Sequence, residues 1–147
     1  MIDRKPGKEV MTRMEKHSSF YEILLLDDDE DDYVLVKSML HTSFGATVNL
    51  DWYQKDGVAT EMICSGLYVV TLVDYRLGKE NGLEVLRVAK SHCPDQAIFL
   101  FTGWTHDDIE QKAKNAGANG VLQKNQLSAE TLKAAIEPFL NQSQKGA

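Results

Sequence analysis

Five side chains of this sequence are of types that do chemistry together: the adjacent carboxylates Asp27 and Asp28, the carboxylate of Asp74, the hydroxyl of Thr102 and the ammonium of Lys124. Each stands at or just past the end of a short apolar run. Carboxylates brought close repel one another unless a cation joins them. Mg²⁺ suits such a group, because it prefers hard oxygen ligands and binds through one or two carboxylates while keeping sites for water and phosphate. An ion held there would keep Asp74 ionised and neutralise charge on an incoming phosphoryl group. Phosphoryl transfer depends mainly on positioning and charge neutralisation, so a lysine and a hydroxyl donor complete the requirement.

The elements that must position these groups are read from the hydrophobic pattern. Ile23-Leu24-Leu25-Leu26 is a short apolar run that stops abruptly in acid, which predicts a buried strand. Tyr33, Val34, Val36, Leu40 and Phe44 recur at helical spacing over about 30–43. A mixed strand from Thr47 to Tyr53 follows, then a short helix over about 57–65. The run Tyr68 to Val73 predicts a second buried strand, Leu83 to about Ser91 a helix, and Ala97 to Phe101 a third buried strand. Asp107 to Ala116 is helical and stops at Gly117, a natural C′ residue. Val121-Leu122 marks a fifth strand, and Ser128 caps a last helix to about Leu140. Five strands alternating with five helices predict an α/β fold, a parallel sheet covered on both faces. Such sheets bind ligands at the carboxyl ends of their strands, which is where the five side chains fall.

Composition bounds the rest. The chain has 147 residues, 43% of them hydrophobic, and a formal net charge of −6. That suits one domain with a real core and argues against direct nucleic-acid or membrane-surface binding. Residues 1–20 form a separate basic stretch, carrying Arg4, Lys5, Lys8, Arg13 and Lys16 against Asp3, Glu9 and Glu15. With Pro6, Gly7, Ser18 and Ser19 they read as a flexible leader, and Met11 and Met14 are alternative starts. Residues 21–140 would form the domain and 141–147 a polar tail with no output domain after it. No apolar run approaches the roughly 20 residues needed to span a bilayer, and no secretory signal opens the chain. Cys64 and Cys93 lie far apart in sequence and in no metal spacing. They read as buried or half-buried thiols in a reducing cytoplasm.

Around these positions the sequence resembles the response-regulator receiver family of two-component signalling, over about residues 21–140. The resemblance rests on four motifs in the right order. They are Asp27-Asp28 after a Leu-rich strand, Val-Asp-Tyr-Arg-Leu-Gly-Lys-Glu-Asn-Gly around Asp74, Phe-Thr-Gly at Thr102, and Gly-Ala-Asn-Gly-Val-Leu-Gln-Lys ending at Lys124. It implies the flavodoxin-like, doubly wound sheet with strand order 2-1-3-4-5. It implies Asp74 as phosphoacceptor and Mg²⁺ as cofactor, ligated directly by Asp28, largely through water by Asp27, and by Asp74 and the backbone carbonyl of Arg76. Thr102 and Lys124 would contact the phosphoryl group. The partners implied are a sensor or hybrid histidine kinase as donor and an unknown downstream protein. Phosphorylation-dependent dimerisation is left open. The protein would be cytoplasmic, and a phosphoacceptor rather than a turnover enzyme.

Three departures from the family pattern stand out: Asn125 replaces the usual cis-proline after the lysine, Val121 replaces a common aromatic, and Gly78 replaces a common proline. Arg76 and Trp104 are expected over the site, where they would shield an acyl phosphate from water. The plainer readings are that Glu30, Asp31 and Asp32 are a solvated helix start, with Asp29 undecided, that Trp52 is packing, and that His17, His41, His92 and His106 have no role. Rival functions are a docking module that takes no phosphoryl group and a Mg²⁺-dependent aspartyl phosphohydrolase. The second would need a general acid where Arg76 stands. A flavin-type cofactor binder would need a Ser/Thr/Gly-rich phosphate loop where six acids stand.

Overall fold

The computed structural model describes residues 20–54, 57–103 and 108–146. The basic stretch 1–19 and Trp104 therefore lie outside the described residues. The order of elements is β1 (Tyr21–Leu26), α1 (Glu30–Phe44), β2 (Val48–Tyr53), α2 (Ala59–Ile63), β3 (Val70–Asp74), α3 (Gly82–His92), β4 (Ala97–Thr102), α4 (Ile109–Asn115), β5 (Gly120–Gln123) and α5 (Ala129–Gly146). Single turns of 3₁₀ helix occupy Gly45–Thr47 and Lys124–Gln126. The five strands make one parallel sheet in the order β2-β1-β3-β4-β5, as the receiver resemblance implied.

Alternation along the strands divides the core in two. Ile23, Leu25, Val70, Leu72, Phe99 and Phe101 point to one face and meet Val36 and Leu40 of α1 with Leu132, Ile136 and Leu140 of α5. Leu24, Leu26, Val73, Ile98 and Leu100 point to the other and meet Ala59 and Ile63 of α2, Val85, Leu86 and Ala89 of α3, and Ile109 and Ala113 of α4. The central strands are buried on both sides, which is why their sequences run continuously apolar. The outermost strand, β2, is half-buried throughout, and its sequence is correspondingly mixed.

Three local expectations change. Val34 is 56% exposed: it lies two residues before buried Val36, which places it on nearly the opposite side of the helix. The last helix continues past Leu140 to Gly146. Cys64 and Cys93 are not thiols but a disulfide, with Cα atoms 5.7 Å apart. The sequence separation of 29 hides the fact that α2 and α3 lie side by side, so that Cys64, just after α2, meets Cys93 at the end of α3. Other expectations hold. α4 ends in a Schellman motif, with the Gly117 N–H on the Lys114 carbonyl and the Ala118 N–H on the Ala113 carbonyl. Gly117 takes the left-handed conformation this requires, φ 100°. Ser128 caps α5 by accepting from the Thr131 N–H at 3.1 Å. No helix among the described residues is long and apolar enough to cross a membrane.

Candidate functional site

The carboxyl ends of β1, β3, β4 and β5 converge on one rim. Asp27 follows β1 directly, and its backbone N–H bonds the Tyr53 carbonyl at the end of β2. Its own carbonyl accepts the Trp52 indole N–H at 2.7 Å, and Trp52 stacks on Tyr33 of α1 with ring centroids 4.7 Å apart. Trp52 is thus packing, as expected, and also a donor that fixes the Asp27 backbone. The Asp27 side chain is fully buried. One carboxylate oxygen accepts the Asp29 N–H at 2.8 Å. The other has no hydrogen bond; the Lys124 ammonium approaches it to 3.3 Å, within ion-pair range but outside hydrogen-bonding geometry.

Asp29, left undecided by the sequence, is the N-cap of α1 and accepts the Asp31 N–H. Asp32, read as part of a solvated helix start, belongs to the site instead. Its carboxylate lies 2.5 Å from the Lys124 ammonium. The physical reason is helical geometry. Asp32 sits three residues after the cap, so the first turn of α1 brings it back over the strand ends.

Asp74 closes β3 and is 8% exposed. Its carboxylate lies 3.2 Å from the Lys124 ammonium and accepts the Arg76 backbone N–H. The start of α3 is pressed against it from below. The Gly82 N–H bonds the Tyr75 carbonyl at 2.6 Å, and a Cβ at Gly82 would stand 1.9 Å from the Asp74 carbonyl oxygen. Only glycine fits there. Thr102, at the end of β4, is 2% exposed. Lys124 opens the 3₁₀ turn after β5, with its ammonium 5.0 Å from the centroid of the Phe101 ring. The Lys124–Asn125 bond is trans, like every peptide bond among the described residues.

Asp28 is the member of the sequence-derived set that stands apart. It is exposed, and its carboxylate accepts the Gly78 N–H at 2.6 Å. Gly78 turns the small ribbon formed by Arg76–Leu77 and Glu80–Asn81 with φ 60°, the positive angle a type II′ hairpin needs at that position. A proline at 78 has neither that φ nor an N–H. Gly78, standing where receivers commonly have a proline, therefore ties this loop to Asp28. Arg76 is exposed on the ribbon.

Burial pushes the Asp27 carboxyl up to about 8; the Asp29 N–H pulls it down, Asp32 and Asp74 push it further up, and Lys124 lowers it. Burial also raises Asp74, against the pull of Lys124 and the Arg76 N–H. For Lys124 burial alone would lower the value, but Asp32, Asp27 and Asp74 together hold it above its ordinary range. Carboxylate oxygens of Asp27, Asp32 and Asp74 lie within 4.8 Å of one another. Hard oxygen donors at this spacing, one of them buried and unsatisfied, fit a small divalent cation such as Mg²⁺.

Comparison with known proteins agrees with this geometry. Residues 23–137 match the family described as response regulator receiver domain. The chain is 30% identical over 107 residues to the DNA-binding transcriptional activator DevR/DosR of Mycobacterium tuberculosis (strain ATCC 25618 / H37Rv), a match covering 71% of this chain and 49% of that protein. The chain thus spans about half the length of the curated relative it matches. Among solved structures it resembles a response regulator receiver domain protein (CheY-like) from Methanospirillum hungatei JF-1. The TM-score is 0.69 and the identity 25%, with 88% of this chain and all of that one covered. It also resembles the signal receiver domain of a putative Luxo repressor protein from Vibrio parahaemolyticus, with TM-score 0.73, 17% identity, and 86% and 95% of the two chains covered. With its sheet order and its acidic rim in place, the chain belongs to the response regulator receiver domain family.

Proposed function

We propose that this receiver accepts a phosphoryl group on Asp74 from the phosphohistidine of a histidine kinase, in a reaction that requires Mg²⁺. The observation that carries this reading is the buried Asp74 carboxylate facing the Lys124 ammonium at 3.2 Å beside a second buried acid, Asp27. An Asp74 oxygen attacks phosphorus, an O–P bond forms, the N–P bond of the donor breaks, and its electron pair stays on nitrogen; with the second ring nitrogen of the phosphohistidine protonated, neutral imidazole leaves. Lys124 offsets charge on the phosphoryl oxygens, and Thr102 donates its hydroxyl to one of them. Asp27, Asp28, Asp74 and the Arg76 carbonyl would hold Mg²⁺, with Asp28 turning off Gly78 to do so. When bound, the ion neutralises charge between Asp74 and the phosphoryl group.

The domain acts stoichiometrically. Its new charge shifts the population of surface conformers around α4, β5 and α5, where a partner protein reads it. Arg76 and Trp104 would shield the acyl phosphate, an idea that fails if Arg76→Ala and Trp104→Ala both leave its hydrolysis rate unchanged.

One observation favours a second reading, a docking module that takes no phosphoryl group: the Asp28 carboxylate is bound to Gly78 and stands outside the acidic cluster. Intact mass after incubation with acetyl phosphate and Mg²⁺ separates the two. The wild type should gain one phosphoryl group, and Asp74→Asn and a metal-free control none. A wild type that gains nothing and also fails to bind beryllium fluoride would be a docking module.

A further inference from the structure

An ammonium has three N–H bonds, and three carboxylates surround that of Lys124. Asp32 is nearest at 2.5 Å, with Asp74 at 3.2 Å and Asp27 at 3.3 Å. Asp74 and Asp27 come from the sheet. Asp32 comes from the first turn of α1, so the contact joins β5 to a helix on the far side of the sheet order. A phosphoryl group on Asp74 adds acceptor oxygens that compete for this ammonium, which hydrogen-bonds Asp32. The partner free to yield it is Asp32, which is partly exposed and can be rehydrated, whereas Asp27 is fully buried.

We propose that Asp32 is a positioning residue that holds the Lys124 ammonium in the unphosphorylated protein and yields it when Asp74 is phosphorylated, so that the first turn of α1 is released by the modification. This rests on Asp74 being the phosphoacceptor. It supplies a route for the signal that needs no aromatic at Val121, and it ends on a helix whose outer face carries the exposed Val34 and Leu35.

The charge balance fixes the signs of the effects. Removing the Asp32 charge takes a negative group from beside a cation site and a competitor from beside an anion site. Asp32→Asn should therefore weaken Mg²⁺ and strengthen the phosphoryl analogue, each by about three- to tenfold for a charge partly screened by water. A variant that was merely misfolded would weaken both.

The experiment uses the full chain as wild type, Asp32→Asn and the charge-conserving Asp32→Glu. Mg²⁺ is titrated calorimetrically, then beryllium fluoride at saturating Mg²⁺, and amide hydrogen exchange is followed over residues 30–34 with and without beryllium fluoride. The expected result is opposite shifts of the two affinities in Asp32→Asn, with Asp32→Glu returning both toward wild type. Beryllium fluoride should also speed exchange over 30–34 in the wild type but not in Asp32→Asn. Unchanged affinities in Asp32→Asn, a parallel loss of both, or exchange over 30–34 indifferent to beryllium fluoride would overturn the proposal while leaving the phosphoacceptor reading intact. A wild type that binds no beryllium fluoride and gains no phosphoryl mass would overturn that reading, and this one with it.

Discussion

Gly82→Ala tests whether the start of α3 sets the position of the phosphoacceptor. A Cβ at 82 would lie 1.9 Å from the Asp74 carbonyl oxygen, 2.8 Å from its carbonyl carbon and 3.0 Å from the Tyr75 Cα. All three neighbours are backbone, so no side chain can swing aside. Reaching even a tight contact of about 3 Å requires α3 or the end of β3 to move by about 1 Å. Overpacking of this kind costs about 1–3 kcal/mol. The same movement disrupts the Gly82 N–H bond to the Tyr75 carbonyl, for about 1 kcal/mol more. A total of about 2–4 kcal/mol corresponds to a melting temperature lowered by roughly 6–12 °C in a domain of this size. Misplacing a reacting group by about 1 Å can cost about 100-fold in rate, so uptake of phosphoryl from acetyl phosphate should slow by about that factor at a temperature where the variant is folded. Calorimetric melting and timed intact mass measure both effects. A Gly82→Ala protein that melts within about 1 °C of wild type and is phosphorylated at the wild-type rate would refute the close contact and the positioning role drawn from it.

Other perturbations have equally definite signs. Asp27 is raised to about 8 in the fold from about 3.9 in an unfolded chain, so the metal-free protein holds an extra proton between those values and loses stability as pH rises through them. Mg²⁺ must displace that proton. Its affinity, followed by Trp fluorescence or calorimetry, should rise by about tenfold per pH unit at most from pH 6 and level off above about 8; a flat profile would contradict the burial of a protonated Asp27. The disulfide closes a loop with 29 residues of separation, worth about 3–4 kcal/mol in the chain-entropy account. Reduction, or Cys64→Ser with Cys93→Ser, should lower the melting temperature by about 10 °C, and complete alkylation of native protein without reductant would show the bond is not formed. Trp52→Phe keeps a ring against Tyr33 but removes the donor to the Asp27 carbonyl. It should cost about 1 kcal/mol in denaturant unfolding, and no change would mean that water takes the place of the indole N–H.

Much of the fold was legible because the central strands are buried on both faces and each ends in a residue of different chemistry. Short apolar runs stopped by Asp27-Asp28, Asp74 and Thr102 announce both a parallel sheet and its functional edge. What was not legible depends on direction rather than pattern. Asp31 and Asp32 are neighbours with the same side chain. One is exposed and the other faces Lys124 because a helix turns about 100° between them. Cys64 and Cys93 carry no sequence signal of pairing, since their approach follows from two helices packing on one sheet face. Val34 fits a helical apolar period on paper and faces outward, because α1 needs only a narrow stripe against the sheet. Asp28 was paired with Asp27 by adjacency, whereas consecutive residues leaving a strand point opposite ways.

The hydrogen bond from Gly78 to Asp28 joins positions 50 residues apart, so that a change at one is felt at the other. With Gly78 at φ 60°, a return to the proline common in receivers would remove the donor and require another hairpin. The carboxylate at 28 would then lose its anchor in the same step. Loops grafted between receivers to alter kinase choice or phosphoryl lifetime would meet the same barrier: the segment after Asp74 transplants cleanly only into a host whose second acid is free to receive it.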